Sequence, residues 1–285
     1  MNTYLDCIPC FLKQALHAAR LATEDEMIHA EVMRSVLKEM TVIDPCLPPP
    51  AIATRIYGII REISGIEDPY RKDKEAWNSF VLQLYPRLKS LIVHSPKPFE
   101  TALRLAIAGN IIDFGPRSHI SEEHVHKTII RAFTRKVAGD INEFANAIIS
   151  AQKILYIGDN AGEIVFDRLF IEQLPREKII FSVRGAPVIN DATMADAEAV
   201  GMTKIVKVID NGSDAPGTIL EKCSEDFRRH LAEADLVIAK GQGNYESLSG
   251  MDPVTGKIYF IFMVKCRVVA DHIGLDIGSL ALNKG

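Results

Sequence analysis

Five short apolar runs in the second half of the chain, separated by helical patterns, constrain the fold more than any other feature of the sequence. They are Lys153–Ile157, Lys178–Val183, Lys204–Ile209, Leu236–Ala239 and Tyr259–Val264. Isoleucine, valine and phenylalanine dominate them, as in strands buried on both faces. Residues 164–170, 192–201, 218–233 and 266–273 between and after them carry helical patterns, the second ended by Gly201. Strands joined by helices need right-handed crossovers, which makes the predicted sheet parallel and the class α/β.

The first 150 residues read differently. Cys10, Phe11, Gln14, Ala15 and Ala18, and then Met27, Ala30, Met33, Val36, Leu37 and Met40, recur at spacings of three and four, the period of a helix face. Thr23 and Glu26 fit a capping box ahead of the second helix. The proline-rich stretch 44–50 breaks helix. Helical patterns resume at 51–64, 70–93, 98–113, 121–137 and 140–150, and no strand is predicted before residue 150. The chain therefore divides into a helical part, 1–150, and an α/β part, 151–285.

Bulk properties exclude several classes of function. The net charge of −4 and the absence of a basic run argue against nucleic acid as a partner. The apolar run 258–264 is bracketed by Lys257 and Lys265 and is far shorter than the roughly 20 residues a membrane helix needs. The N-terminus lacks the pattern of a signal peptide, so a cytoplasmic location is expected. Five cysteines are an odd number, and no disulfide framework is expected. Cys46 and Cys223 read as small packed residues.

Three polar clusters follow three of the predicted strands, at the ends where ligands bind in open α/β sheets. The first is Gly158-Asp159-Asn160-Ala161-Gly162-Glu163. Its glycines permit close backbone approach, and Asp159 and Asn160 offer adjacent oxygen donors of the kind hard divalent cations prefer. The second runs from Arg184 to Thr193, and its Asp191 could add a third oxygen ligand. Asp and Asn at these places also serve as helix caps. Asp196, about 140° further round the helix, reads as solvated surface. The third is Lys240-Gly241-Gln242-Gly243-Asn244, where an ammonium and turn amides suit an anion. Neither a Walker A loop nor a G-x-G-x-x-G fingerprint is present.

Together with Gly109-Asn110-Ile-Ile-Asp113-Phe114, these motifs resemble the damage-control phosphatases, a family that includes proteins called acidic-residue methyltransferases. The resemblance runs from Cys7 to about His272. It is strongest to the archaeal and bacterial branch with an N-terminal C-x-x-C, here Cys7-Ile-Pro-Cys10. It implies a helical part packed on a Rossmann-like sheet in three α/β/α layers. It also implies hydrolysis of sugar phosphates or damaged phosphorylated metabolites with Mn²⁺, Ni²⁺, Co²⁺ or Mg²⁺. Metal ligands would fall on Asp159, Asn160 and Asp191. Substrate contacts would fall on the loop from Lys240 through Gly241, Gln242 and Gly243 to Asn244, and on Lys265. Asn110 and Asp113 would lie near the site.

On this reading a bound divalent ion activates water, while Lys240 and Lys265 neutralise phosphoryl charge. Asp159 or Asp191 acting as nucleophile or general base is the other route, and Glu163 is a supporting partner in the substrate-binding set. No C-x₅-R loop or Ser/His triad offers a metal-free route. Two other readings are an S-adenosylmethionine-dependent carboxyl methyltransferase and a non-catalytic metal- or metabolite-binding protein. The first lacks an evident adenosine loop. Trp77 and Tyr245 are expected at the pocket wall. The oligomeric state stays open between monomer and homodimer.

Cys7 and Cys10 have the spacing of half a zinc site, but there is no second C-x-x-C and no H-x₃₋₅-H. His124 and His126, two residues apart, point apart on a helix. Packing, metal or redox roles stay open for the two cysteines. Being in the helical part, they are expected outside the strand-end clusters.

Overall fold

The chain starts with three helices because its apolar residues fall on single faces and its prolines fall at helix starts. In the computed structural model, which describes residues 1–109, 135–252 and 254–285, these are α1 (Cys7–Ala22), α2 (Glu26–Met40) and α3 (Pro49–Ser64). Pro49 and Pro50 form the first turn of α3, where the missing N–H groups cost nothing. Asp25, not Thr23, caps α2, its carboxylate accepting the Met27 N–H at 2.8 Å. Phe11, Val36 and Ile56 give this trio its own core, joined by Val188 from the α/β part.

Three more helices follow: α4 (Arg71–Val93), α5 (Pro98–Ala108) and α6 (Ile141–Ser150). A strand then appears where none was expected. β1 (Val137–Ala138) pairs with the last strand, β7 (Leu280–Lys284), so the sheet recruits residues from before position 150. The expected helix over 121–137 falls mostly outside the described residues.

The remaining elements alternate as the apolar runs imply. They are β2 (Ile154–Ile157), α7 (Glu163–Ile171), β3 (Ile179–Val183), α8 (Met194–Ala199), β4 (Lys207–Asp210), α9 (Glu225–Glu233), β5 (Leu236–Lys240), α10 (Gln242–Leu248), β6 (Ile258–Met263) and α11 (Arg267–Ile273). β4 starts later than its apolar run because Met202–Lys204 forms a 3₁₀ turn. α9 starts late because Ser224 caps it, accepting the Phe227 N–H at 3.2 Å.

The sheet order is β1-β7-β6-β5-β2-β3-β4, with every neighbouring pair parallel except β6 and β7. The antiparallel β7 had no counterpart in the sequence pattern. From β2 the chain builds outward through β3 to β4, and β5 then starts the other wing beside β2. That reversal makes the carboxyl ends of β2 and β5 a topological switch point, the place where open α/β sheets bind ligands. Ile157 lies in register with Ser182 and with Ala239, so the three polar loops leave the sheet side by side.

Helices cover both faces. Val81, Ile107, Phe144 and Phe166 pack with Tyr156, Phe181 and Ile238 on one face. Phe227, Leu248 and Val269 pack with Leu155, Val237 and Phe260 on the other. Among the described residues, no helix is long and apolar enough to cross a membrane.

Candidate active site

Backbone pairing beyond the sheet brings the first two polar loops together. Ala161 N–H donates to Asn190 O at 2.8 Å and Ala192 N–H to Asp159 O at 2.7 Å, giving an antiparallel bridge between Asn160 and Asp191. Ile189, a β-branched residue at φ 45°, makes the turn that permits this, a strained conformation for such a side chain. The third loop abuts the first. Gly241 has φ 80°, and a Cβ there would fall 2.0 Å from Asp159 Oδ2. Only glycine satisfies both constraints.

Asp159, Asn160 and Asp191 therefore meet at one corner. Asn160 Nδ2 donates to Asp159 Oδ2 at 2.8 Å and to Glu163 Oε2 at 3.1 Å. Two carboxylate acceptors fix the amide orientation, and Asn160 Oδ1 has no protein partner among the described residues. Arg184, 2% exposed, donates from Nε to Asp191 Oδ2 at 2.7 Å and stands 3.8 Å from Asp159 Oδ1. Burial pushes the Asp159 carboxyl well above the usual range, with the charges of Glu163 and Asp191 adding to it. Burial also raises Asp191, against the opposing pull of Arg184.

The lysine loop divides its duties in a way the sequence did not show. Lys240 is fully buried and does not line the cavity. Its Nζ donates to Glu163 Oε1 at 2.5 Å, Asp167 Oδ1 at 2.6 Å and Ala106 O at 2.9 Å. An ammonium has three donors, and all three are used. The sequence expectation of a Lys240–phosphate contact thus gives way to a counter-ion role beneath Glu163. Burial works against the Lys240 ammonium, but Asp167 and Glu163 outweigh it and its pKa rises. Asn244 is equally buried and ties loops together, donating to Gly158 O at 3.2 Å and Lys240 O at 2.7 Å while its Oδ1 accepts from Thr218 and Arg184. Gln242, Gly243 and Lys265 do line the cavity, and Lys265 N–H donates to Gln242 Oε1 at 3.0 Å.

The cavity occupies about 840 Å³ and also holds Asp159, Asn160, Asp191 and Glu163 on its wall. The N-terminal helices close it with His17, Tyr70 and Trp77. Cys7 and Cys10 lie on the same wall, which corrects the expectation that they sit apart from the strand-end loops. Tyr245 faces away and packs against Phe262 and His272. Cys46 is exposed and Cys223 buried. Asp196 is buried, not solvated: it caps α8 with Thr193, accepts from Asn78 at 2.8 Å and faces Lys74 at 3.7 Å. Asn78 in turn accepts the Gly162 N–H at 2.7 Å, so α4 holds the first loop in place. Arg184, Asn78 and Asp167 carried no functional signal in the sequence beyond the position of Arg184 directly after an apolar run. Asn110, Asp113, His124 and His126 lie outside the described residues; Gly109 lines the cavity.

The donor set fits a hard divalent cation. Asp159, Asp191 and Asn160 Oδ1, the last without a partner among the described residues, are oxygen donors at one corner of one cavity. The adjacent buried cations are committed, Arg184 to Asp191 and Lys240 to Glu163. Acidic, cysteine and histidine side chains alone do not form a three-ligand cluster among the described residues, so any such site would have to include the amide oxygen.

Known proteins resemble the chain over its whole length. The family model for the damage-control phosphatase ARMT1-like domain matches residues 3–280. A damage-control phosphatase of Archaeoglobus fulgidus is 36% identical over 279 residues, covering 96% of each chain. An uncharacterized protein of Methanocaldococcus jannaschii is 35% identical, covering 98% of this chain and 94% of its own. The crystal structure of a DUF89 family protein from Pyrococcus horikoshii superposes with a TM-score of 0.91 at 28% identity, covering 100% of this chain and 99% of that one.

Proposed function

The chain belongs to the ARMT1-like damage-control phosphatase family, and on that premise we propose that it hydrolyses small phosphate monoesters with a divalent cation held by Asp159, Asn160 and Asp191. Sugar phosphates or damaged phosphorylated metabolites are the substrate class, and Mn²⁺, Ni²⁺, Co²⁺ or Mg²⁺ the cation. The observation that carries this reading is the pairing of Asp159–Ala161 with Asn190–Ala192. It sets two carboxylates and an amide oxygen without a partner among the described residues on the wall of a cavity that also contains Lys265.

Each residue then has a task. Asp159, Asp191 and Asn160 supply the oxygen ligands. A bound divalent ion supplies Lewis-acid polarisation of the phosphoryl group and a lowered pKa for water. Lys265 neutralises charge on the phosphoryl oxygens as the ester bond lengthens. Glu163 orients Asn160 through the 3.1 Å contact, and Lys240 anchors Glu163 from behind at 2.5 Å. Arg184 fixes the rotamer of Asp191, and Trp77 and the N-terminal helices limit the entry of water.

The test is hydrolysis of p-nitrophenyl phosphate after chelation and re-addition of each of the four cations. Activity lost with chelator and restored by at least one cation supports the reading. Full turnover by metal-stripped protein refutes the metal role, and inactivity toward a panel of monoesters with every cation refutes the phosphatase reading.

A further inference from the structure

Three cysteines on the cavity wall have no part in the chemistry above. Cys7 opens α1, Cys10 follows it in the same turn, and Cys266 directly precedes α11. All three line the cavity and all are free thiols. Cys10 Sγ accepts from Gln14 Nε2 at 3.4 Å, and Cys266 Sγ accepts from Gln242 Nε2 at 3.4 Å. Cys10 is exposed as a residue, while its thiol on the cavity wall is partly desolvated. No three His, Cys, Asp or Glu side chains among the described residues converge as a metal site, which counts against a thiolate metal centre.

The helix itself places Cys7 and Cys10 within bonding range. Residues three apart in an α-helix have Cα atoms about 5 Å apart, from the rise and radius of the helix, inside the range of about 4.4–6.8 Å found across disulfides. Their Cβ atoms, about 5–6 Å apart in a regular helix, must close by about 1–2 Å to reach the mean disulfide separation. The first turn can give this movement. Its N–H groups are held only by the short local bonds Cys7 N–H to Tyr4 O at 2.9 Å and Ile8 N–H to Leu5 O at 3.1 Å, not by a preceding helical turn, and Pro9 between the cysteines has no N–H to lose. Burial, and secondarily the nearby charges of Glu246 and the other cysteines, push both thiols above the usual thiol range. The reduced pair therefore lacks the thiolate stabilisation that makes some C-x-x-C disulfides easy to reduce.

We propose that Cys7 and Cys10 form a thiol–disulfide exchange site on the wall of the substrate cavity, with a small-molecule disulfide of the glutathione type as its oxidant. The thiolate of the exposed Cys10 attacks one sulfur of the disulfide and expels one thiolate. Cys7 then displaces the second, closing the Cys7–Cys10 bond. The two protons lost by the cysteines end on the two thiols released, so one disulfide is reduced as one is formed. The start of the chain is fastened to α10, Met1 N donating to Glu246 O at 2.6 Å, so a shift in the first turn of α1 moves the wall beside Gln242. Substrate affinity changes, while the carboxylate corner does not. This last consequence rests on the phosphatase reading; the exchange site does not.

Trypsin releases Met1–Lys13 as one peptide containing both cysteines, which makes the site directly readable. The full chain is incubated with oxidised glutathione, alkylated and mapped by mass spectrometry. We expect this peptide to lose two hydrogen atoms and resist alkylation until dithiothreitol is added. KM for p-nitrophenyl phosphate should rise about threefold or more with kcat unchanged, the pattern of altered binding. Cys266→Ser should behave like the parent, and Cys7→Ser should neither form the bond nor show a KM change from it. Two alkylatable thiols after oxidation, a persistent glutathione adduct or a Cys10–Cys266 cross-link would each overturn the proposal. An oxidised peptide with unchanged KM would overturn its coupling to substrate binding. If no monoester is hydrolysed, the peptide map still decides the site.

Discussion

The ammonium of Lys240 sits 2.5 Å from a carboxylate oxygen of Glu163, and neither side chain is more than 2% exposed. The same ammonium lies 2.6 Å from Asp167, whose carboxyl burial pushes up to about 6. Lys240→Met would leave two buried carboxylates without their cation. The expected loss is about 3–5 kcal/mol of stability, typical of removing one partner of a buried pair, measured by urea unfolding at neutral pH. A loss under about 1 kcal/mol, the scale of a surface pair, would contradict this account.

Lys265 should act on ligand binding. It lies on the cavity wall and its backbone, not its ammonium, is what Gln242 accepts from. Lys265→Ala should fold and bind inorganic phosphate about tenfold more weakly, the scale of a charge-assisted contact. Calorimetry with phosphate on the folded variant measures it. Unaltered phosphate affinity would remove Lys265 from the site.

Asp191→Asn keeps the shape of the side chain and its hydrogen bond from Arg184, but removes a charge. Mn²⁺ titration should show affinity down about tenfold or more, because a neutral amide replaces a carboxylate. Excess Mn²⁺ should restore part of the turnover. Parental Mn²⁺ affinity in this variant would show that Asp191 serves Arg184 alone.

Glu246, half-buried behind Gln242, has its carboxyl pushed by burial from 4.5 to about 7. Between these values the folded state holds a proton that the unfolded state has released. Stability therefore falls as pH rises from 4.5 to 7 and the penalty is constant above that. Glu246→Gln keeps the contact to Gln242 and removes the titration. Its melting temperature should match the parent near pH 4.5 and exceed it at pH 8, by the equivalent of about 1–2 kcal/mol after allowing for solvent screening. Equal melting temperatures at pH 8 would refute this.

Gly241→Ala tests the contact between the first and third loops. The added methyl would meet Asp159 Oδ2, and the residue holds φ 80°, so Asp159 must move or the loop must unwind. We expect turnover to fall by about a hundredfold or more, as when catalytic groups are misplaced by about 1 Å. Gly250→Ala, at φ 76° with open space around it, controls for backbone strain alone. Equal activity in the two variants would show that the Asp159 contact does not matter.

The order of strands and helices after residue 150 was readable because it depends on local period: apolar runs of strand length, separated by segments with one apolar helix face. The candidate site was legible in the same pattern, since polar residues crowded the ends of three of those runs. What failed was whatever depended on partners distant in sequence. β1 is two residues long and exists because Leu280 and Ala281 pair with it. Asp196 reads as surface on its own helix and is buried because Asn78 and Lys74 come to it from α4.

The same division runs through the site. Asp159, Asn160 and Asp191 were legible because oxygen donors next to glycines at strand ends have few structural reasons to cluster there. Lys240 and Lys265 were indistinguishable as sequence, each a lysine just past an apolar strand. Tertiary structure separated them by setting Glu163, Asp167 and the carbonyl of Ala106 around one ammonium, leaving it nothing to donate, and by setting the other on the cavity wall. Cys7 and Cys10 came to the same cavity because α1 packs on α3, which packs against α10 beside the lysine loop, a placement that no pattern within the sixteen residues of α1 encodes. Sequence determined which chemical groups the strand ends would carry, since those positions follow from local period; the tertiary packing decided which of them face the cavity, since that depends on what each side chain meets from elsewhere in the chain.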